Sequence, residues 1–413
     1  MRRRVVITGM GTVNPLATDV PTYWKALLEG KSGIGPIEQI DTKEFRVKFG
    51  GEVKNWKPET WFDTKACRRM DRFTQFAMVA ALEAWKNAGL DTAKIDPIRM
   101  GAIVGSGIGG LSEYEEQHTK FMQGSGPRGI SPFVIPKMMP NAAPGNISIH
   151  FGLAGPSRAV STACASAADA IADAFYVMQR DEADVMVTGG SEAAITYMGL
   201  GGFIAARALS GRHDNPTSAS RPFDKDRDGF VLSEGAGILV LEELEHAKKR
   251  GVPIFAELLG VASTSDAHNI TAPHPEGFGA MRAMQMAVKN AGLNPTDIDY
   301  INAHGTSTDL GDAAETLAVK RAFGDHARKL AISSTKSMIG HLLGASGGAE
   351  LIATVLSIQH SVVHATINLH TPDPACDLDY VPNTPRPMRV RYALSNSFGF
   401  GGHNSSVLVG AVS

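Results

Sequence analysis

Cys164 stands in the stretch Ser161-Thr162-Ala163-Cys164-Ala165-Ser166-Ala167-Ala168. A strand-like segment, Arg158 to Ser161, precedes it, and an alanine-rich helical pattern follows. The thiol therefore falls at a strand-to-helix turn near a helix N-terminus, where free N–H groups and the dipole favour thiolate over thiol. Small neighbours admit a thioester, and backbone N–H groups there suit an oxyanion. A thiolate attacks thioesters readily, so the chemistry indicated is acyl transfer. The local residues leave a second reading open, a small buried thiol that only packs. The other cysteines compete poorly. Cys67 has Lys65, Arg68 and Arg69 beside it, which would lower its pKa, but it lies on a charged helical face with no base nearby in sequence. Cys376 lies among Asp373, Asp377 and Asp379, which disfavour a thiolate.

Two histidines sit in comparable settings. His304-Gly305-Thr306-Ser307-Thr308-Asp309 follows the strand-like run Tyr300 to Ala303, and Ser333 to His341 leads into a second Gly/Ala-rich helix. Strand ends are the favoured place for chemistry in open α/β sheets. A single histidine is more often a packing residue than a catalyst. Three reactive positions at three strand ends favour chemistry. Two other patterns invite a different reading. Gly105-Ser106-Gly107-Ile108-Gly109-Gly110 fits G-x-G-x-x-G after a strand, but no ribose-binding acid follows on a second strand. Asp224-Lys225-Asp226-Arg227-Asp228-Gly229 opens like a calcium loop, yet Gly235 stands where the loop needs its glutamate, so a structural turn is expected.

The elements that must hold these residues alternate. Val5 to Thr8, Gly101 to Val104, Val185 to Thr188 and Ile238 to Glu242 read as strands, and Thr74 to Ala88 and Ala167 to Gln179 as helices. This indicates an α/β fold with helices covering the sheets. Lys86-Asn87-Ala88-Gly89-Leu90 recurs as Lys289-Asn290-Ala291-Gly292-Leu293, and Ile-Asp follows each copy at the same spacing. A weaker echo pairs Ala165-Ser166 with Ala345-Ser346. The echoes run in the same order, so two similar halves are expected, 1–251 with the cysteine and 252–413 with both histidines, packed as one body.

Composition sets the remaining bounds. The chain has 413 residues, a 43% hydrophobic fraction and a formal net charge of -2, so bulk attraction to nucleic acid is not expected. Three cysteines without a C-x-x-C pair exclude a disulfide framework and a thiolate zinc site, and a reducing compartment fits. No apolar run reaches membrane-spanning length. Arg2 to Arg4 begin like a leader, but Thr8, Gly9, Gly11, Asn14 and Pro15 interrupt the apolar stretch, so the expectation is a cytoplasmic protein with neither leader nor membrane span.

In order along the chain, Val5-Val6-Ile7-Thr8-Gly9-Met10-Gly11, Thr162-Ala163-Cys164-Ala165-Ser166, Arg221-Pro222-Phe223-Asp224, His304-Gly305-Thr306, Lys336-Ser337-Met338-Ile339-Gly340-His341 and Asn396-Ser397-Phe398-Gly399-Phe400-Gly401-Gly402 form a specific set. The sequence resembles the β-ketoacyl-acyl-carrier-protein synthases of the thiolase superfamily over essentially its whole length, and the elongating members of type II fatty-acid synthesis most closely. His403, where many members carry Thr, is a small departure. The resemblance implies a thiolase-like fold of two α/β halves in an α-β-α-β-α stack, with no metal or cofactor beyond the phosphopantetheine of the carrier. It implies decarboxylative Claisen condensation of malonyl-carrier protein with an acyl group on Cys164. A polyketide or specialised-lipid ketosynthase of the same chemistry is the alternative. His304 and His341 would stabilise the enolate, with Lys336 setting the local electrostatics and Glu350 as its counter-charge. Phe400 would act as gate and oxyanion-hole donor. Ile108, Phe133 and Phe203 would line an acyl tunnel near a homodimer interface, Phe133 reaching in from the partner subunit. Thr306 and Thr308 would meet the pantetheine arm. Lys65, Arg68, Arg69, Arg128 and Arg207 would form a patch for acidic acyl-carrier protein. The first three fall within about one helical turn.

Overall fold

A computed structural model describes residues 3–412. Ten strands carry the site: β1 (Val5–Val13), β2 (Met100–Gly105), β3 (Ser157–Val160), β4 (Val185–Glu192), β5 (Gly235–Glu243), β6 (Ala256–Ser265), β7 (Tyr300–Asn302), β8 (Ala331–Ser333), β9 (Tyr392–Gly399) and β10 (His403–Gly410). Five helices position them: α1 (Arg72–Ala88), α2 (Ser166–Gln179), α3 (Phe278–Asn290), α4 (Asp309–Phe323) and α5 (Ser346–His360). The strands follow the order β8-β7-β9-β10-β6-β1-β5-β4-β2-β3. Read outward from the centre, each side repeats one arrangement. β5 runs antiparallel to β1 and to β4, and β2 and β3 run parallel to β4. On the other side β10, β9, β7 and β8 stand in the same relation to β6. A short antiparallel contact, Val5 to Leu258 and Ile7 to Ala256, joins the two.

The burial pattern explains the layers. Every residue of β1 and β4 is buried, as expected for strands covered on both faces. α1 packs on β1, β5 and β4, and α3 on β6 and β10. Between the two sets of strands lie α2 and α5, which touch each other and strands of both sets. This is the α-β-α-β-α stack. α5 is buried from Ser346 to Ile358, so it has no polar face, which suits a helix at the centre of a large core. Its glycines allow close approach: a Cβ on Gly348 would meet the Gly237 carbonyl of β5 at 2.2 Å. The recurring Lys-Asn-Ala-Gly-Leu segment closes the outer helix in each half. Asn87 Nδ2 donates to the Met10 carbonyl of β1 at 2.8 Å, and Asn290 Nδ2 to the Val261 carbonyl of β6 at 2.9 Å. Among the described residues no helix is long and apolar enough to cross a membrane.

Candidate active site

Cys164 follows β3 by four residues and sits in a single 3-10 turn, Ala163–Ala165, that opens into α2. The preceding Ala163 takes φ +50, a conformation alanine adopts only under constraint. Ser166 supplies that constraint. Its Oγ donates to the Ala163 carbonyl at 2.6 Å and accepts the Thr162 N–H at 2.9 Å. β9 ends against this turn. A Cβ on Gly399 would lie 2.9 Å from the Cys164 nitrogen, so only glycine lets the Gly399–Gly402 loop come this close. The backbone N–H groups of Phe400 and Cys164 lie on the side of the Cys164 sulfur where they favour its charged form.

His304 lies two residues past β7, with its backbone clamped by Glu315 of α4. Glu315 accepts the His304 N–H at 2.9 Å and the Gly305 N–H at 2.8 Å. His341 is not at a strand end, contrary to the expectation. It lies beyond β8 and a short helix, and its backbone is clipped to the 231–233 segment, by His341 N–H to the Val231 carbonyl at 2.8 Å and Ser233 N–H to the His341 carbonyl at 3.0 Å. The two imidazoles stand edge to face with centroids 5.4 Å apart.

Hydrogen bonds assign their protons. His341 Nδ1 accepts the Leu343 N–H at 3.2 Å and lies 2.9 Å from Ser346 Oγ, which leaves the proton on Nε2. Lys336 Nζ donates to His304 Nδ1 at 3.4 Å, with the same consequence. Burial, reinforced by the Lys336 charge, holds both histidines well below the usual imidazole range, so both are neutral donors at physiological pH. Lys336 is 1% exposed and ion-pairs with the fully buried Glu350.

The cysteine electrostatics correct the sequence reading. A helix end would lower the Cys164 thiol. Instead burial dominates and pushes it up to about 11, against the opposing Lys336 charge and the Phe400 N–H. Burial therefore favours the thiol over the thiolate in this pocket. Cys67 departs likewise. Its neighbours Lys65, Arg68 and Arg69 do not lower it, because burial, Glu59 and Asp63 raise it. Cys376 is raised to about 12 by burial and Asp312.

One cavity brings together Cys164, His304, His341, Phe203, Thr306, Thr308 and Phe400, with Phe230, Leu343 and Phe398 completing its apolar wall. Thr306 and Thr308 hydroxyls lie 3.0 Å apart. Ile108 and Phe133 do not line this cavity; both are exposed on the single chain. Lys65, Arg68, Arg69, Arg128 and Arg207 are exposed too, and the Arg69 guanidinium lies 5.3 Å above the Phe133 ring. The calcium-like stretch is a turn: Asp224 is buried and accepts the N–H groups of Asp226, His370 and Thr371. Among the described residues no group of three or more metal-ligating side chains is placed to hold an ion.

Sequence reasoning missed Glu315, Ser166 and Asp266. Asp266 accepts Asn404 Nδ2 at 2.9 Å and the His274 N–H at 3.0 Å, tying the 266–277 loop to β10 beside the cavity. Only for Glu315 was a signal present, since Asp312 and Glu315 are two acids on one face of the helix that follows the His304 loop.

Comparison with known proteins places this geometry. The N-terminal domain of beta-ketoacyl synthase matches residues 2–247 and its C-terminal domain residues 255–370. The chain is 52% identical over 403 residues to 3-oxoacyl-acyl-carrier-protein synthase 2 of Staphylococcus aureus, covering 98% of this chain and 97% of that one. It is 51% identical to the Synechocystis enzyme of the same name, with the same coverage. A beta-ketoacyl synthase from Burkholderia phymatum superposes with a TM-score of 0.93 at 35% identity, and a ketosynthase structure solved with a type II polyketide acyl-carrier protein gives 0.93 at 36%; each covers 100% of both chains. With a cysteine and two neutral imidazoles facing one cavity in this fold, the chain belongs to the beta-ketoacyl synthase family.

Proposed function

We propose that the chain catalyses the elongating condensation of type II fatty-acid synthesis, forming 3-oxoacyl-carrier protein from acyl- and malonyl-carrier protein. The observation that carries this reading is the convergence of one thiol with two Nε2–H donors in one largely apolar cavity. Cys164 sulfur attacks the acyl thioester, and the carrier leaves as its thiol, taking the cysteine proton. Malonyl thioester then loses carbon dioxide. Its enolate oxygen is held by Nε2–H of His304 and His341, donors aimed where charge develops. The enolate carbon attacks the acyl carbonyl, whose oxygen faces the Cys164 and Phe400 N–H groups. The bond to sulfur breaks, a 3-oxoacyl thioester two carbons longer leaves, and the Cys164 thiolate takes a proton from solvent to restore the thiol, replacing the one that left with the carrier. Burial keeps both imidazoles neutral, and the Lys336 charge reinforces it. No step calls for a metal or a cofactor other than the carrier's own phosphopantetheine.

The apolar wall of Phe203, Phe230 and Leu343 suits an acyl chain, and Thr306 with Thr308 suits a pantetheine amide at the mouth. A homodimer with an acyl tunnel at its interface, lined by Ile108 and by the partner subunit's Phe133, is supported by the apolar side chains left exposed between 121 and 149: Phe121, Met122, Ile130, Phe133, Ile135, Met139 and Ile149. The exposed cations Lys65, Arg68, Arg69, Arg128 and Arg207 suit an acidic carrier. Incubation with acyl- and malonyl-carrier protein, read by product mass, tests the reading. Carbon dioxide release without a lengthened product would overturn it.

A further inference from the structure

The loop Gly105-Ser106-Gly107-Ile108-Gly109-Gly110, which has the pattern of a phosphate cradle, closes around a carboxylate of its own chain. Glu192 ends β4 and is fully buried. Its Oε1 accepts the Ser106 hydroxyl at 2.9 Å and the Ile108 N–H at 3.1 Å. Its Oε2 accepts the Gly107 N–H at 2.7 Å and the Gly344 N–H at 3.1 Å. Ser106 Oγ in turn accepts the Gly109 N–H at 3.0 Å. Successive backbone N–H groups of this kind form an anion-binding concavity, and here a side chain fills it.

The carboxylate joins the segment that carries Leu343 of the cavity wall to a loop outside the cavity, two segments that the chain does not join. Ile108 is on the β2 loop. Gly344 follows Leu343, which lines the cavity and bonds through its N–H to His341. The Gly107 carbonyl also accepts the Ser161 hydroxyl at 3.2 Å, three residues before the nucleophile. The approach is as close as glycine allows. A Cβ on Gly344 would lie 2.4 Å from the Gly107 nitrogen and 2.7 Å from Glu192 Oε2. Burying a carboxylate is costly: burial pushes Glu192 above the usual carboxylate range against the pull of its four donors, and a packed apolar residue would fill the space at lower cost. An apolar residue cannot hold donors from two separate segments in one geometry.

We propose that Glu192 is a positioning residue that sets which acyl chain lengths the site accepts, by locking the Gly107–Ile108 backbone against Leu343–Gly344. The proposal rests on the condensing reading above. Glutamine cannot replace this carboxylate. Whichever way its amide turns, an N–H faces another N–H: those of Gly107 and Gly344 in one orientation, that of Ile108 in the other. The wall must then part.

The test compares wild type, Glu192→Gln and Ser106→Ala as full-length proteins, with octanoyl- and palmitoyl-carrier protein as the acyl donors. Glu192→Gln should raise the ratio of kcat/KM for palmitoyl over octanoyl by about tenfold, the effect of losing one charge-assisted hydrogen bond. Ser106→Ala removes one donor and keeps the charge, and should move the ratio the same way by less. A general structural defect would lower both substrates alike and leave the ratio unchanged, which overturns the proposal. If Glu192→Gln fails to fold, the Ser106→Ala ratio decides in the same sense. Wild type inactive with both donors would overturn the condensing reading itself, whereas an active wild type with unmoved variants overturns only the role of Glu192.

Discussion

Replacing Lys336 with methionine separates the two jobs this buried cation can have. Methionine keeps the length and removes the charge. The ammonium lies 3.4 Å from His304 Nδ1. At an effective dielectric of about 20, a unit charge at that distance opposes imidazole protonation by about 5 kcal/mol, an upper figure because Glu350 acts against it. Without Lys336, His304 and His341 both shift toward the usual histidine range, and His304 loses the donor that fixes its tautomer. Glu350 is left buried and unpaired, which costs about 3–5 kcal/mol if it stays ionised. Two effects therefore come together, a lower melting temperature and a slower decarboxylation. The double variant Lys336→Met/Glu350→Leu pulls them apart, since an apolar pair of similar volume restores packing without restoring charge. The assays are carbon dioxide release from malonyl-carrier protein, acyl loading of Cys164 by intact mass, and thermal melting. The single variant should lose about a hundredfold or more in carbon dioxide release, the scale of one preorganised donor. Acyl loading should fall less, because the Phe400 and Cys164 N–H groups remain. The double variant should regain stability and remain slow. If it regains decarboxylation as well, Lys336 is only a packing ion pair and the electrostatic argument fails.

Alkylation of Cys164 by iodoacetamide should be slow at neutral pH and rise with pH toward about 11, the value to which burial pushes the thiol; a rate that levels off below pH 8 would show that the helix end wins after all. Cys164→Ala should take up no acyl group from acyl-carrier protein by intact mass, and a variant that still gains it would remove the nucleophile assignment. His341→Ala should slow carbon dioxide release by about a hundredfold or more while acyl loading falls far less, and equal loss of both would mark a structural defect. Charge reversal at Arg68 and Arg69 should raise KM for carrier-bound substrate, as added salt should, and leave turnover of a small pantetheine thioester nearly unchanged; equal loss on both substrates would exclude a docking role. Burial lowers His364 from 6.5 to about 4. The folded chain then binds fewer protons than the unfolded one in that window, so this group's stabilisation, about 3 kcal/mol, is present above 6.5 and lost as pH falls toward 4. Denaturant midpoints of His364→Gln should fall less over that window than those of wild type, and parallel curves would refute the assignment.

Residues that announced themselves in the sequence did so through local chemistry. Cys164 and His304 stand where an apolar run gives way to small residues, and strand-to-helix boundaries can be read from periodicity. The recurring Lys-Asn-Ala-Gly-Leu was legible as a repeat, and its asparagines make the same bond in both halves. What stayed hidden acts through the fold. Asp266 ties the Asn404 side chain of β10, 138 residues away, to its own loop, and Glu315 grips the His304 and Gly305 N–H groups from the following helix, roles that residue type alone does not encode. Thiol acidity was misread for the same reason: the helix end next to Cys164 is visible in sequence, and the burial that outweighs it is not. The glycine-rich loop was readable as an anion cradle, but its anion comes from Glu192, on a strand more than eighty residues away (Gly107 to Glu192, 85).

The two halves use one turn in two ways, and the difference accounts for the asymmetry of the site. Ala163 and Leu343 take nearly the same left-handed conformation, φ +50 and φ +49, each leading through a 3-10 turn into a central helix whose first residue is serine. Holding a residue with a side chain there costs about 1–3 kcal/mol, so both turns must be braced from outside. In the first half Ser166 turns back on its own turn, and Cys164, the residue after Ala163, presents its thiol to the cavity. In the second half Ser346 reaches His341 Nδ1 instead and leaves Nε2 carrying the proton. The residue matching Cys164 there is Gly344, and the room a side chain would need is taken by Gly107 and Glu192. One copy of the turn therefore presents a thiol to the cavity, while the other fixes a donor histidine and packs against the Gly107 loop.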